Sequence, residues 1–257
     1  MAKSKLYLSV IVPAYNESKR LPLTLVDIDR HLSRGGFSYE ILVVNDGSKD
    51  DTAIVVEKLT KLIPHLKLTG YNRNQGKGYA VKLGMLEAEG KYRLFMDSDN
   101  STTIDQLDNI VPLLKEGYHV VIGSRDVKGA IVDPPQSLLK RIFGNLGNLY
   151  IQMLLLPGVW DTQCGFKCFS EEAAEKIFPL QRIKRFGFDV EVLALAQRLG
   201  YKIKEIPVHW VNDTASLVGL VGANSYIKVL IDVTKLRFWF WFDIYGLRRG
   251  HLRESSE

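Results

Sequence analysis

Phe95-Met96-Asp97-Ser98-Asp99 is an apolar run that closes on two aspartates one residue apart. Alternate side chains of a strand point the same way, so Asp97 and Asp99 are expected on one face. Mg²⁺ and Mn²⁺ are hard cations that accept one or two carboxylates and keep positions open for substrate phosphates, so the pair reads as a nucleotide-phosphate site. A solvated turn has the same composition, and the choice between the two rests on the surrounding chain.

Working outward, residues 6–12 read as a buried strand cut off by Pro13, followed by the loop Pro13-Ala14-Tyr15-Asn16-Glu17. Residues 21–32 carry apolar side chains at helical spacing with a proline in the first turn. Residues 39–44 form a second buried strand closing on Asn45-Asp46-Gly47-Ser48, after which Ser48 and Asp50 are suited to cap a helix over 51–62. A short strand at 66–69 completes β-α-β-α-β. Near-continuous apolar strands alternating with helices indicate a parallel sheet covered on both faces, with ligands at the carboxyl ends of the strands. Asn16, Glu17, Asp46, Asp97 and Asp99 all follow strands, a placement that scattered structural carboxylates would not share.

Asn72-Arg73-Asn74-Gln75-Gly76-Lys77-Gly78 precedes a helix over 79–89, so its amides and Lys77 are placed to meet an anion; a plain surface turn is the alternative. The stretch is not a Walker loop, and no Gly-x-Gly-x-x-Gly follows the first strand, which argues against P-loop and dinucleotide-binding folds. Val120-Val121-Ile122-Gly123-Ser124-Arg125 ends another strand on a guanidinium suited to bidentate phosphate contact, unless Arg125 merely pairs with Asp126. A long apolar helix is expected over 137–156, with Lys140 and Arg141 near its start. Asp161-Thr162-Gln163-Cys164-Gly165-Phe166-Lys167 reads as an irregular polar cluster leading to a helix over 171–178. Beyond it, Asp189 and Glu191 are either a general base or surface charges, and an isolated acidic pair favours the surface.

The length of 257 residues fits one large α/β domain or a domain with an appendage. A formal charge of +5 suits an anionic partner: nucleic acid, an acidic membrane surface or a phosphorylated substrate. Nucleic acid is disfavoured, because basic residues and aromatics interleave only near the C-terminus. Cys164 and Cys168 lack the second pair or nearby histidines of a zinc site and read as packing residues of a reduced, cytoplasmic chain. The N-terminus has no signal-peptide pattern, and no apolar run is long enough to span a bilayer. From Tyr226, the residues Val229, Leu230, Val233, Leu236 and Phe240 recur at helical spacing, with Lys228, Asp232 and Lys235 on another face. Phe238-Trp239-Phe240-Trp241-Phe242 followed by Arg248, Arg249 and Arg253 suits a membrane interface near anionic lipid; a core helix or dimer contact fits as well.

With Pro13 to Glu17, Asn45-Asp46-Gly47-Ser48, Gly76-Lys77-Gly78, Asp97-x-Asp99 and Gly123-Ser124-Arg125 in this order, the chain resembles family-two glycosyltransferases of the GT-A fold. Asp161 to Lys167 and Phe188-Asp189-Val190-Glu191 narrow the resemblance to the dolichyl-phosphate glucosyltransferase and dolichol-phosphate mannose synthase group, closer to the glucosyltransferase branch. It implies an α/β, Rossmann-like, mostly parallel sheet flanked by helices over 1–212, and an amphipathic, membrane-interfacial segment over 213–257.

The resemblance also implies an inverting transfer of a hexose, glucose favoured, from a nucleotide diphosphate sugar to a polyprenyl phosphate. UDP-glucose is the favoured donor and GDP-mannose the other, on the cytosolic face of a membrane. Pro13, Tyr15, Glu17, Asn45 and Asp46 would line the base and ribose, and Lys77, Asp97, Ser98 and Arg125 the sugar diphosphate. Asp99 with Asp97 would hold Mg²⁺ or Mn²⁺. Lys140, Arg141, Gln163 and Lys167 would form the acceptor side, with Asp189 and Arg125 nearest the chemistry. An anionic phosphate acceptor needs no strong base, whereas a soluble saccharide acceptor would need one such as Asp189. One departure stands out: where relatives usually have a Ser-Lys element after His209-Trp210, Asp213-Thr214-Ala215-Ser216-Leu217 has no lysine. Donor binding then relies on Arg125 or Lys77, or the chain is a non-catalytic sugar-nucleotide-binding subunit.

Overall fold

A seven-stranded sheet organises the computed structural model, which describes residues 6–135, 138–211 and 222–247. Its strands are β1 (Leu8–Ala14), β2 (Tyr39–Asp46), β3 (Leu66–Tyr71), β4 (Tyr92–Met96), β5 (Val120–Ser124), β7 (Phe166–Ser170) and β8 (Ile203–Pro207), and a separate short pair joins β6 (Ile131–Asp133) to β9 (His209–Val211). The order is β3-β2-β1-β4-β7-β5-β8, parallel except for β7, which runs antiparallel to both neighbours. The expected mostly parallel α/β sheet is therefore present.

Helices cover both faces because the strands are apolar on both sides. Along β1, Val10 and Val12 point to a cluster with Leu21, Leu25 and Ile28 of α1 (Leu21–Leu32), Val56 of α2 (Thr52–Leu59) and Ile110 of α4 (Leu107–Lys115). Ile11 between them points to the other cluster, with Val81 and Met85 of α3 (Lys77–Glu87), Ile151 of α5 (Leu138–Leu154), Ile177 of α6 (Glu171–Ile177), Val192 of α7 (Phe188–Arg198) and Val233 of α8 (Gly222–Trp241). The period of two along the strand thus assigns each residue to one of two cores. The described part of the C-terminal region packs Val229, Val233, Leu236, Phe240 and Tyr245 into the second core, while the expected boundary at 212–213 falls outside the described residues.

Three local expectations need correction. Pro13 does not end β1, which continues to Ala14: pairing with β4 stops at Ile11 opposite Phe95, and beyond it Pro13 pairs only with β2. The cluster at 161–167 is not wholly irregular, since Phe166 and Lys167 begin β7, an insertion between β4 and β5. Asp189 and Glu191 are not surface charges. Both lie buried in the first turn of α7, and Glu191 accepts hydrogen bonds from the amides of Arg182 (2.8 Å) and Ile183 (2.7 Å) and from the Tyr245 hydroxyl (2.6 Å). Burial pushes its carboxyl up, against those three donors.

Candidate active site

The strand order reverses between β1, which leads outward to β2 and β3, and β4 on its other side. A crevice opens at such a switch point beyond the carboxyl ends of the strands. Asp97 and Asp99 follow β4 directly, both partly exposed, while Ser98 between them is buried and its carbonyl accepts from the Thr24 hydroxyl (2.9 Å). Ser98, expected at the sugar diphosphate, is thus a buried residue between two partly exposed carboxylates. Lys77, the first residue of α3, places its Nζ 2.5 Å from Asp97 Oδ1, so a helix N-terminus and an ammonium converge on the end of β4.

Gly165 closes the other side of Asp97. Its carbonyl accepts the Asp97 amide (3.1 Å), and a Cβ at this position would stand 2.0 Å from Asp97 Oδ2. Only the absence of a side chain lets the carboxylate lie there. We expect Gly165→Ala to fold with little loss of stability, because Asp97 is partly exposed and turns aside, yet to lose activity about 100-fold, the scale associated with a misplacement of about 1 Å at a reacting centre. Initial rates and a melting curve on the same preparation check both halves.

Asp99 accepts one hydrogen bond, from the Ser101 amide (3.0 Å), and makes no ion pair among the described residues. Burial first, and then the charge of Asp97, raise its carboxyl above the usual range, with Arg20 pulling the other way. Arg20 escaped the sequence reading; it forks onto Glu17 at 2.8 and 2.6 Å, and the signal was its i,i+3 spacing from that glutamate.

Two further ion pairs continue the row. Arg125 does not pair with Asp126: its Nε and Nη2 reach Asp161 at 2.7 and 2.9 Å, and its own amide donates to the same carboxylate at 2.9 Å. Asp161 also accepts from the amides of Gln163 and Cys164, and although burial alone would raise its carboxyl, Arg125 holds it down at about 2. Lys167, expected on the acceptor side, is buried at the centre of the sheet. It stands opposite Phe95 of β4 and Ile122 of β5, with its Nζ 2.6 Å from Asp189 Oδ1 and 2.5 Å from the Cys164 carbonyl oxygen. It positions Asp189 rather than meeting a substrate. Burial raises the Asp189 carboxyl, and Lys167 and Lys77 oppose that rise.

Along the row, Arg125, Lys167 and Lys77 face Asp161, Asp189, Asp97 and Asp99: three cations against four carboxylates, with Asp99 left over. Among the described residues no group of three or more metal-ligating side chains is assembled. Two carboxylates with one uncompensated charge fit a Mg²⁺ or Mn²⁺ ion that completes its shell with substrate phosphates and water.

On the β1 and β2 side, the polar residues hold the loops. Asn45 Oδ1 accepts the Ser48 amide (3.0 Å), while buried Asp46 accepts the amides of Gln75 (2.7 Å) and Gly76 (3.0 Å) and Asn74 Nδ2 (2.9 Å), pinning the turn that presents Lys77. Pro13 is buried in β1 and Tyr15 is half-buried at the crevice edge. Gln163 is half-buried and Arg141 is exposed on α5; the Lys140 side chain and residues 213–217 lie outside the described part. Cys164 and Cys168 are buried free thiols, as packing residues should be.

Residues 9–178 match the family described as Glycosyl transferase family 2. The chain is 38% identical over 256 residues to a dolichyl-phosphate beta-glucosyltransferase of Dictyostelium discoideum, covering 95% of this chain and 77% of that protein. It is 32% identical over 243 residues to the dolichyl-phosphate beta-glucosyltransferase of Homo sapiens, covering 90% and 74%. Among solved structures it resembles glucosyl-3-phosphoglycerate synthase from Mycobacterium tuberculosis in complex with Mn²⁺, uridine diphosphate and phosphoglyceric acid, with TM-score 0.66 and 19% identity over 90% of this chain and 78% of that one. That likeness establishes a shared fold. The resemblance read from the ordered motifs is borne out.

Proposed function

Because the chain belongs to glycosyl transferase family 2, we propose that it transfers glucose, with inversion, from UDP-glucose to dolichyl phosphate or a similar polyprenyl phosphate. Its similarity to dolichyl-phosphate beta-glucosyltransferases over most of its length supports the sugar and the acceptor. The solved neighbour's uridine diphosphate and Mn²⁺ support a uridine donor and a divalent ion.

In this reading the donor diphosphate lies at the N-terminus of α3, beside Lys77, which also orients Asp97. Asp99, with Asp97, would hold Mg²⁺ or Mn²⁺, which supplies positive charge to the leaving diphosphate. Arg125 is oriented by Asp161 through Nε and Nη2, and its Nη1 has no hydrogen-bond partner among the described residues, so that edge is directed to a phosphate oxygen.

One observation in the site supports the acceptor class: Asp189, the candidate base, is paired with Lys167 at 2.6 Å. A carboxylate so engaged is poorly placed to take a proton from a hydroxyl. The acceptor must therefore arrive with its own negative oxygen, as a phosphate does. That oxygen forms the new bond to the anomeric carbon, the bond to the donor diphosphate breaks, and uridine diphosphate leaves with the electron pair.

The membrane contact is assigned to α5 and α8, joined by a hydrogen bond between the Tyr150 and Thr234 hydroxyls (2.8 Å). Both turn apolar side chains outward at helical spacing: Leu146, Leu149 and Met153 on α5, and Ile231, Phe238 and Trp241 on α8. No described helix is long and apolar enough to cross a membrane. The outward apolar stripes support a reading in which this face lies on the cytosolic surface of a membrane. Residues 1–212 would carry the transfer and 213–257 much of the membrane contact.

A comparison of a prenyl phosphate with the matching prenol tests the acceptor assignment. Glucose should appear on the phosphate alone; equal glucosylation of the alcohol would show that a hydroxyl is deprotonated here and would overturn it.

A further inference from the structure

We propose that Trp210 is a positioning residue for the transfer: its ring braces the face of the Arg125 guanidinium and so sets the direction in which that cation meets a substrate phosphate. This rests on the reading of Arg125 as a phosphate contact and adds the residue that orients it.

Asp161 alone does not fix that direction. It accepts from Nε and Nη2 at 2.7 and 2.9 Å, which holds one edge of the guanidinium but leaves the plane able to tilt about the line through those two bonds. A tilt would swing Nη1, at the far side of the group, away from a phosphate. A contact on the face opposes the tilt, and Trp210 supplies one: the guanidinium carbon lies over its ring, 5.3 Å from the centre. The Arg125 side chain is 23% exposed and that of Asp161 1%, so water competes little with either contact. An aromatic face suits a planar cation, whereas an ammonium has no plane to orient.

The ring is itself held in place. Trp210 is half-buried and packs against the core that contains Val10 and Val12. Its strand, β9, pairs with β6, where Val132 stands opposite Trp210, and Trp210 also forms a bridge with Thr102. The next residue, Val211, donates its amide to the Ser101 carbonyl (2.7 Å), and the Ser101 amide donates to Asp99 (3.0 Å). β9 therefore ties the platform under Arg125 to the loop that carries Asp99. The guanidinium and the carboxylate pair are held at one spacing, as groups converging on the reacting phosphates need to be.

The test is a set of dissociation constants for UDP and uridine, and for a short-chain prenyl phosphate and its prenol, with melting curves on the same preparations. Trp210→Leu keeps apolar bulk and removes the aromatic face. It should weaken UDP, the prenyl phosphate or both about ten-fold and leave uridine and the prenol within about two-fold. The ligand that weakens identifies the phosphate Arg125 serves. Trp210→Phe, which keeps an aromatic face, should restore most of the loss. Arg125→Lys should weaken the same ligand, and in that background Trp210→Leu should add less than about two-fold. Unchanged affinity for both phosphorylated ligands in Trp210→Leu, or an equal loss for uridine and the prenol, would overturn the proposal. So would a Trp210→Leu loss of full size in the Arg125→Lys background. If Arg125→Lys also leaves both phosphorylated ligands unchanged, the reading of Arg125 falls with it; if Arg125→Lys alone weakens them, that reading stands and only the role of Trp210 falls. Wild-type transfer from UDP-glucose to the prenyl phosphate reports separately on the proposed reaction.

Discussion

Asp99→Asn loses glucosyl transfer by about 1,000-fold or more while its melting temperature stays level or rises slightly. The two halves of this expectation come from one geometry. Asp99 has no ion pair to lose, and both burial and the neighbouring Asp97 charge disfavour its ionised form in the folded protein. Neutralising it therefore relieves the fold, as the raised carboxyl requires. For the reaction the same change removes the uncompensated negative charge that makes the end of β4 fit a divalent cation, and the charge such an ion offers a leaving diphosphate is worth several kcal/mol. Initial rates with labelled donor and a melting curve measure both. Activity lost in proportion to stability would make Asp99 a structural residue, and full activity would remove it from the site.

Asp161→Asn should be the most destabilising of the conservative changes in the site, by about 3 kcal/mol, because it strands the Arg125 guanidinium beside a neutral amide. Asp161 is 1% exposed and receives three backbone amides besides the guanidinium, and an asparagine NH₂ turned toward any of these donors repels it. For a chain of this size the melting temperature should fall by about 6 to 12 °C. The pH dependence has a definite sign. The folded carboxyl titrates at about 2, below the ordinary value of 3.8, so its contribution is complete above pH 4 and disappears as the pH falls toward 2. That contribution is about 2 kcal/mol. Urea melts of wild type and Asp161→Asn should therefore converge on acidification through this window; a constant gap would mean that Asp161 acts through packing alone.

Much of the fold was legible because the strands that form it are apolar on both faces and end at recognisable loops. In β1, β2, β4 and β5 the run of buried residues is unbroken or nearly so, and the polar positions that follow them are those that line the crevice. β7 was not legible, because a buried lysine occupies its second position and its polar prefix reads as a loop. The apolar trio Phe166, Cys168 and Phe169, closed by Ser170 capping α6 through the Ala173 amide, was the available signal. The carboxylate pair after β4 could be read from spacing alone, since it depends on one strand. The partners Asp161 for Arg125 and Lys167 for Asp189 could not, because they come from strands and loops 36 and 22 residues away and meet only when β7 inserts between β4 and β5. The same insertion brings Gly165 against Asp97, so the strand missing from the sequence reading is the one that completes the site.

The most direct test of the account is incubation of the protein with labelled UDP-glucose and dolichyl phosphate, first with a chelator and then with Mn²⁺ restored. Glucose should appear in a lipid-linked product that is absent in the chelator and returns with the ion. Lipid-linked glucose undiminished in the chelator would contradict the role given to Asp97 and Asp99, and donor consumed without any lipid product would contradict the transfer itself.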